Sequence, residues 1–252
     1  MRAFIAYAKK EFSESVRTYK LLIIVSVFLI FGLLNPIVAK IMPEILSSMM
    51  PEGITITLAE PSAIDSWMQF YKNISTQLII FVIVYCGSIS NELSKGTLIN
   101  MLTKGLPRKT VILAKFTAIS AVWTLGYIIC FVTTYGYTLY LLPGKLSHLF
   151  SAAVFMWLYG VMIISAMLFG GTLFGSFYGA LLVTGGFSTL LMVFNIFPKI
   201  QKWIPYRLST DNLLLITEKL SVNDFYLNSF LACALTIVFI VSAMLVFNKK
   251  KL

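Results

Sequence analysis

The chain has 252 residues, of which 58% are hydrophobic and only 12% charged, with a mean hydropathy of +0.87 and a formal net charge of +10. A soluble domain carries about 25% charged residues, so this composition excludes an ordinary water-soluble fold. Spread over several apolar runs, the positive charge reads as membrane topology and attraction to anionic lipid rather than nucleic-acid binding.

Residues 1–20 precede the first apolar run. Ile5, Ala8, Phe12, Val16 and Tyr19 recur at spacings of three and four and make one apolar face. Lys9, Lys10, Ser13, Glu14, Arg17 and Lys20 fall mainly on the other. This pattern predicts a helix in the membrane interface, with Ile5, Phe12 and Val16 toward lipid and Arg17 at its end, followed by an elbow. A plain charged leader is the alternative. A signal peptide does not fit, because the apolar run is too long and no small-residue cleavage site follows it.

Six spans of about membrane length follow, at 21–38, 73–90, 111–142, 149–169, 177–197 and 229–247. Lipid forces them to be helices, since every backbone donor and acceptor must be satisfied within its own segment. The fold class expected is all-α, a single transmembrane domain over 1–252. Between the first two spans, Pro43, Pro51, Gly53 and Pro61 act as breakers, and Ser62-Ala-Ile-Asp65 reads as a capping box opening a short helix toward Tyr71. Asn73-Ile-Ser75 matches a glycosylation acceptor, read here as a chance match at the membrane edge.

Between the second and third spans lies a short basic segment with Lys95, Lys104, Arg108 and Lys109, and Lys115 just beyond. Thr97–Thr103 reads as a short helix stopped by Gly105 and Pro107. The loops at 143–148 and 170–176 are tight. Residues 198–228 hold Pro198, Pro205, Trp203 and the run Leu213–Ile216, too short to cross and expected to lie on or dip into the surface. With the N-terminus inside, thirteen of the twenty Lys and Arg fall on the inner segments, and seven of the ten acids fall outside. Both termini are therefore expected in the cytoplasm.

Glu92-Leu-x-Lys95-Gly96-Thr97-Leu98, then Leu102, Arg108 and Ala114-Lys115-Phe116, resembles the segment joining the second and third spans of ABC type-2 exporter permeases. Lys10-Glu11-Phe12, with Arg17 before a long apolar run, is similar to that family's opening elbow. At the level of residues the resemblance covers the first half of the chain, and at the level of layout all of it. It implies a permease subunit that pairs with a second permease subunit, as homodimer or heterodimer, each docked on a cytoplasmic ABC ATPase. The Lys95–Leu102 region would be the coupling helix. Gly96 would let the backbone approach closely, and Leu98 and Leu102 would supply apolar contact, with Thr97 in the Gly-Thr-Leu turn between them. Glu92 would anchor the start of the turn, and Arg108 and Lys115 would secure its end by salt bridge or lipid phosphate. The alternative is that these charges only mark an inside loop.

No cofactor is expected in this chain, with ATP and Mg bound by the partner ATPase. A Walker A loop is absent: the nearest piece, Gly144-Lys145, has Leu139 where the first Gly is needed and Leu146 where Ser or Thr is needed. An ion-coupled secondary transporter is the runner-up. It would need a titratable group at depth, and no Asp, Glu or His lies mid-span; Glu92 and Lys115 sit at the inner boundary, where a long side chain can snorkel. A membrane-embedded enzyme ranks lower. His148 is the one histidine, and Cys86, Cys130 and Cys233 lie singly in apolar spans with neither a disulfide framework nor a catalytic constellation. The cargo expected is amphipathic or lipophilic: a peptide, an antibiotic or a lipid-linked molecule.

Overall fold

The computed structural model describes residues 2–48, 60–103, 105–144 and 146–250. Its helices are α1 (Arg2–Arg17), α2 (Lys20–Ser48), α3 (Ala63–Tyr85), α4 (Ser90–Ser94), α5 (Thr97–Thr103), α6 (Arg108–Leu141), α7 (Leu149–Phe174), α8 (Phe177–Asn195), α9 (Pro198–Gln201), α10 (Arg207–Thr210), α11 (Asn212–Ile216) and α12 (Tyr226–Lys249). Among the described residues six segments are long and apolar enough to cross a membrane, beginning with α2, α3, α6, α7, α8 and the 3-10 turn that leads into α12. They form the all-α bundle that the hydropathy predicts.

Differences lie at the ends of the spans. The first runs on to Ser48, through Pro36 and Pro43. Pro43 is therefore no breaker: a transmembrane helix tolerates proline where its surroundings re-satisfy the freed carbonyl. Pro51 and Gly53 lie outside the described residues. The capping box opens α3, with the Ser62 amide and hydroxyl donating to the Asp65 carboxylate at 2.8 and 2.9 Å. The helix it opens does not stop at Tyr71 but continues to Tyr85, so the expected short helix and second span are one element. Likewise α7 continues through Gly170 and Gly171 to Phe174, and the turn is confined to Gly175, at φ +64°, and Ser176.

The packing core is aromatic. Trp67, Phe70 and Phe131 cluster with centroids 5.0 to 6.2 Å apart, and Trp123 packs edge-on against Phe28 and Phe81. Gly160 is required here, because a Cβ would overlap the Trp123 indole. Amide chemistry ties three spans together: Asn73 donates to Asn35 (2.8 Å), and Asn35 to Thr134 (3.2 Å), linking α3, α2 and α6. Asn73 is thus a structural residue and not a free glycan acceptor.

At one end of the bundle, called the hairpin end below, gather α1, α4, α5, the start of α6 and the C-terminus of α12. At the distal end the Ala63 amide donates to the Pro143 carbonyl (2.9 Å), α9 packs on the end of α8, and α10 and α11 fold back over α7. Asn228 fastens that return by donating to the Lys202 and Ile204 carbonyls at 3.1 and 2.8 Å. The run Leu213–Ile216 falls in α11, with Leu215 and Ile216 fully buried.

Candidate functional site: a charged clamp and an uncharged groove

Helix α1 is amphipathic in an inverted sense. Tyr7, Glu11 and Ser15, one helical turn apart, are buried against the bundle, while Ile5, Phe12 and Val16 on the other side are exposed by 59%, 39% and 49%. A helix hiding its polar stripe and presenting its apolar one suits lipid as the outer medium. Arg17 ends α1, is exposed, and is followed by Tyr19 at φ 59°, where the chain turns into α2.

The buried stripe meets a charge cluster. Lys115, on the first turns of α6, is 1% exposed. Its ammonium donates to Glu11 at 2.7 Å and lies 2.9 Å from Glu92. Glu92, on α4, also accepts from the Tyr7 hydroxyl at 3.0 Å and pairs with Lys10. Lys10 reaches Glu11 at 3.0 Å and Glu14 at 2.8 Å as well. Burial alone would lower the Lys10 pKa, but bonds to Glu14 and Glu92 and the nearby Glu11 charge raise it above the usual lysine value. Burial, and then the Glu11 and Glu92 charges, push the Tyr7 hydroxyl up, so it stays a donor. The carboxylates of Glu11, Glu14 and Glu92 lie within 4.8 Å of one another, close enough to share a metal ion, yet the two ammonium groups already supply the positive charge there.

This clamp joins three sequence-distant pieces, α1, α4 and α6. The sequence reading placed Glu92 and Lys115 at the boundary with room to snorkel. Instead both point inward and are paired, because an unpartnered charge at that depth would cost several kcal/mol. Of the two partners offered for Lys115, salt bridge or lipid phosphate, the geometry has the salt bridge. Glu11, the shared partner, was missed as a site residue. Its signal was available: it stands one turn from both Tyr7 and Ser15.

Beyond Glu92 the chain turns twice. Gly96, at φ +66°, reverses it between α4 and α5. A Cβ there would meet nothing within 4 Å, so within this chain the glycine serves the left-handed backbone and not a close approach. Thr97 donates to the Glu92 carbonyl at 3.3 Å across this turn. α5 covers Thr97–Thr103, as the sequence predicts. Its apolar face is a correction, however. Leu98 is completely buried and Leu102 half-buried against the core, together with Leu93, Met101 and Leu106. These leucines seat the hairpin on the bundle, and Leu98 has no surface to offer a partner. The exposed rim consists of Lys95, Thr97, Thr103 and Lys109.

Arg108 does something the sequence reading did not foresee. Its guanidinium donates to the carbonyls of Phe247, Asn248 and Lys250 at 2.8, 3.1 and 2.6 Å. These are orphan acceptors at the C-terminus of α12, where a cation is favoured. Arg108 therefore joins the start of the third span to the end of the last, and among the described residues it pairs with no acid.

The second feature is a groove of about 500 Å3, walled by α3 and α8, floored by α7 and closed distally by α10. Toward the hairpin end its lining is mainly aliphatic, with Leu78, Ile79, Val82, Ile83, Ile163 and Leu181, and with Thr184, whose hydroxyl donates to the Ala180 carbonyl. Toward the distal end Ser75, Tyr159, Ser188, Thr189, Tyr206 and Ser209 bring hydroxyls. Among the described residues no Asp, Glu, Lys, Arg or His lines it. Gly185 opens it, since a Cβ there would meet nothing within 4 Å. α8 passes through Gly185 and Gly186 without a break, and a Cβ on either would meet nothing within 4 Å. Composition alone could not reveal the groove, because its lining residues are ordinary transmembrane ones.

The family model described as ABC-2 family transporter protein matches residues 5–252 of this chain. A curated relative, the uncharacterized transmembrane protein YxlG of Bacillus subtilis (strain 168), is 25% identical over 229 residues, which span 87% of this chain and 88% of its own. The match takes in α1, the clamp, the hairpin and all six spans. The chain belongs to the ABC-2 family of transporter proteins, as a multi-pass permease subunit of an ABC transporter.

Proposed function

We propose that this permease works as an exporter driven by a separate cytoplasmic ABC ATPase, which binds the ATP and Mg. The hairpin end faces the cytoplasm, as the excess of Lys and Arg on that side indicates, and both termini lie there. α1 lies in the inner interface with Ile5, Phe12 and Val16 in lipid. The exposed rim of Lys95, Thr97, Thr103 and Lys109 docks on the ATPase, while Leu98 and Leu102 hold α5 to the bundle from behind. Two permease subunits, identical or different, pair in the membrane, and ATP-driven closure of the ATPases rocks the spans between inward and outward access. The cargo is amphipathic or lipophilic.

The single observation that carries this reading is the clamp. A cytoplasmic hairpin meant only to connect two spans has no need of a two-lysine, three-glutamate junction to α1 and α6 with Lys115, Glu11 and Glu92 buried at its centre. A hairpin that must deliver force needs a stiff junction. Purifying the tagged chain from its native membrane tests the reading: an ABC ATPase should co-purify in stoichiometric amount, with hydrolysis abolished by mutation of its own Walker A lysine. A chain that transports while no ATPase accompanies it would overturn the energy source.

A further inference from the structure

We propose that the α3–α7–α8 groove is a binding site for an uncharged amphiphile, with its hydrocarbon part toward the hairpin end and its hydrogen-bonding head toward α10. The assignment of such a ligand as cargo rests on the transport reading above; the binding itself does not.

Three observations carry it. The first is the direction of the lining. Val82, Ile83, Ile163 and Leu181 offer hydrocarbon at one end, where the Thr184 hydroxyl donates to the Ala180 carbonyl of its own helix, whereas Ser188, Thr189, Tyr206, Ser209 and Thr210 bring hydroxyls to the other, beside Met192. A ligand matching both ends is amphipathic along one axis, and its head needs groups that can both donate and accept, such as alcohols, esters or amides. The second is charge. The described lining residues include no carboxylate and no basic side chain, and Arg207 beside them is engaged by Asp211 at 2.7 Å and by the Phe225 ring. A carboxylate, phosphate or quaternary ammonium in the groove would lose its water without gaining a counter-ion. The third is space. A cavity of about 500 Å3 falls in the range of small-molecule sites. Gly185 stands at its wall, 9 residues from Ser176 at the start of α8, with room beyond its Cα for a whole side chain.

The occupant proposed is thus a single molecule with an alkyl body and a neutral polar head, since an ionised headgroup would find no counter-ion there. The experiment uses the full chain alone, in nanodiscs of zwitterionic lipid, and three probes of equal chain length: glycerol monolaurate, laurate and dodecyltrimethylammonium. Radiolabelled glycerol monolaurate should saturate at one site per chain, about tenfold or more tighter than either charged probe. Gly185→Leu fills the groove with a better helix former. It should weaken glycerol monolaurate binding by about tenfold or more without lowering the melting temperature. Ser188→Ala with Thr189→Val should cut the preference for the neutral head about threefold or more while leaving the charged probes alone.

Equal binding of all three probes, or binding untouched by Gly185→Leu, would mean simple partition into the bilayer and would overturn the site. So would a groove that takes no probe and whose filling by Gly185→Leu separates a dimer, which would make it a seat for a second copy. None of these measurements involves an ATPase, so their failure leaves the proposed energy source standing. Conversely, saturable binding by a chain that recruits no ATPase would keep the site and sink the exporter.

Discussion

The hairpin end and the groove solve opposite problems with opposite chemistry. At the hairpin end, Lys10, Lys115, Glu11, Glu14 and Glu92 are packed into one junction, with Lys115 1% exposed. Among the described residues that line the groove there is no Asp, Glu, Lys, Arg or His. A buried ion pair gives little net stability against apolar residues of the same volume, but it tolerates few alternative arrangements, because breaking it strands a charge. The reverse holds for a surface of methyl groups and hydroxyls, which can exchange one occupant for another at small cost. The difference teaches where this molecule is fixed and where it can move: rigid at the three-helix junction behind the hairpin, permissive in the groove.

That contrast can be broken most severely at Leu98. Leu98→Asp puts a carboxylate into a fully buried apolar site, and the loss should exceed about 4 kcal/mol. Western blotting of the membrane fraction should show little or no protein, whereas Thr97→Asp next to it, at an exposed position, should accumulate normally. Normal levels of the Leu98 variant would mean that the leucine faces water and that the hairpin is turned the other way.

A somewhat smaller effect is expected from Lys115→Met. It leaves Glu11 and Glu92 with only the half-buried Lys10 as shared cation and removes the fully buried one, at a cost of about 3–5 kcal/mol. Adding Glu11→Gln and Glu92→Gln should recover most of that, since no charge is then stranded. Melting curves in detergent of the single and triple variants check both halves of the statement. A triple variant no more stable than the single one would show that the contact is shape and not charge.

Arg108→Ala comes next. The three carbonyls at the end of α12 lose their donor, which should cost about 1–2 kcal/mol and be felt locally. Hydrogen exchange at residues 247–250 should speed up while the clamp residues keep their protection. The groove should respond least. Ser188→Ala removes one partly exposed hydroxyl from a wall that is open to its surroundings, and stability should change by no more than about 0.5 kcal/mol by the same melting assay.

How far the sequence reaches follows the same division. The spans were legible because lipid leaves a segment no choice but helix, and the hairpin helix Thr97–Thr103 was legible because Gly96, Gly105 and Pro107 punctuate it. The long α2 was not, because proline breaks a helix in water more reliably than at the end of a span. Glu92, Lys115 and Arg108 are charges near a membrane boundary, but their partners in α1 and α12 come from 82 to 142 positions away, and a single chain read in order has no means of pairing them. Leu98 and Leu102 were correctly placed on one face of a helix, while which way that face turns is decided by the bundle behind it. The groove left no trace in the sequence, because it depends on α8 leaning on α7 while an open Gly185 leaves its wall unfilled.

The central claim is that the outer rim of the hairpin receives an ATPase while the clamp behind it stays intact. The most direct test is the double variant Lys95→Glu with Lys109→Glu, which reverses two exposed charges and touches neither the clamp nor any leucine of the core. The account predicts normal membrane levels, an unchanged melting temperature, and loss of most of the co-purifying ATPase together with transport. A stable double variant that still brings down the ATPase in full amount, and still exports, would contradict it.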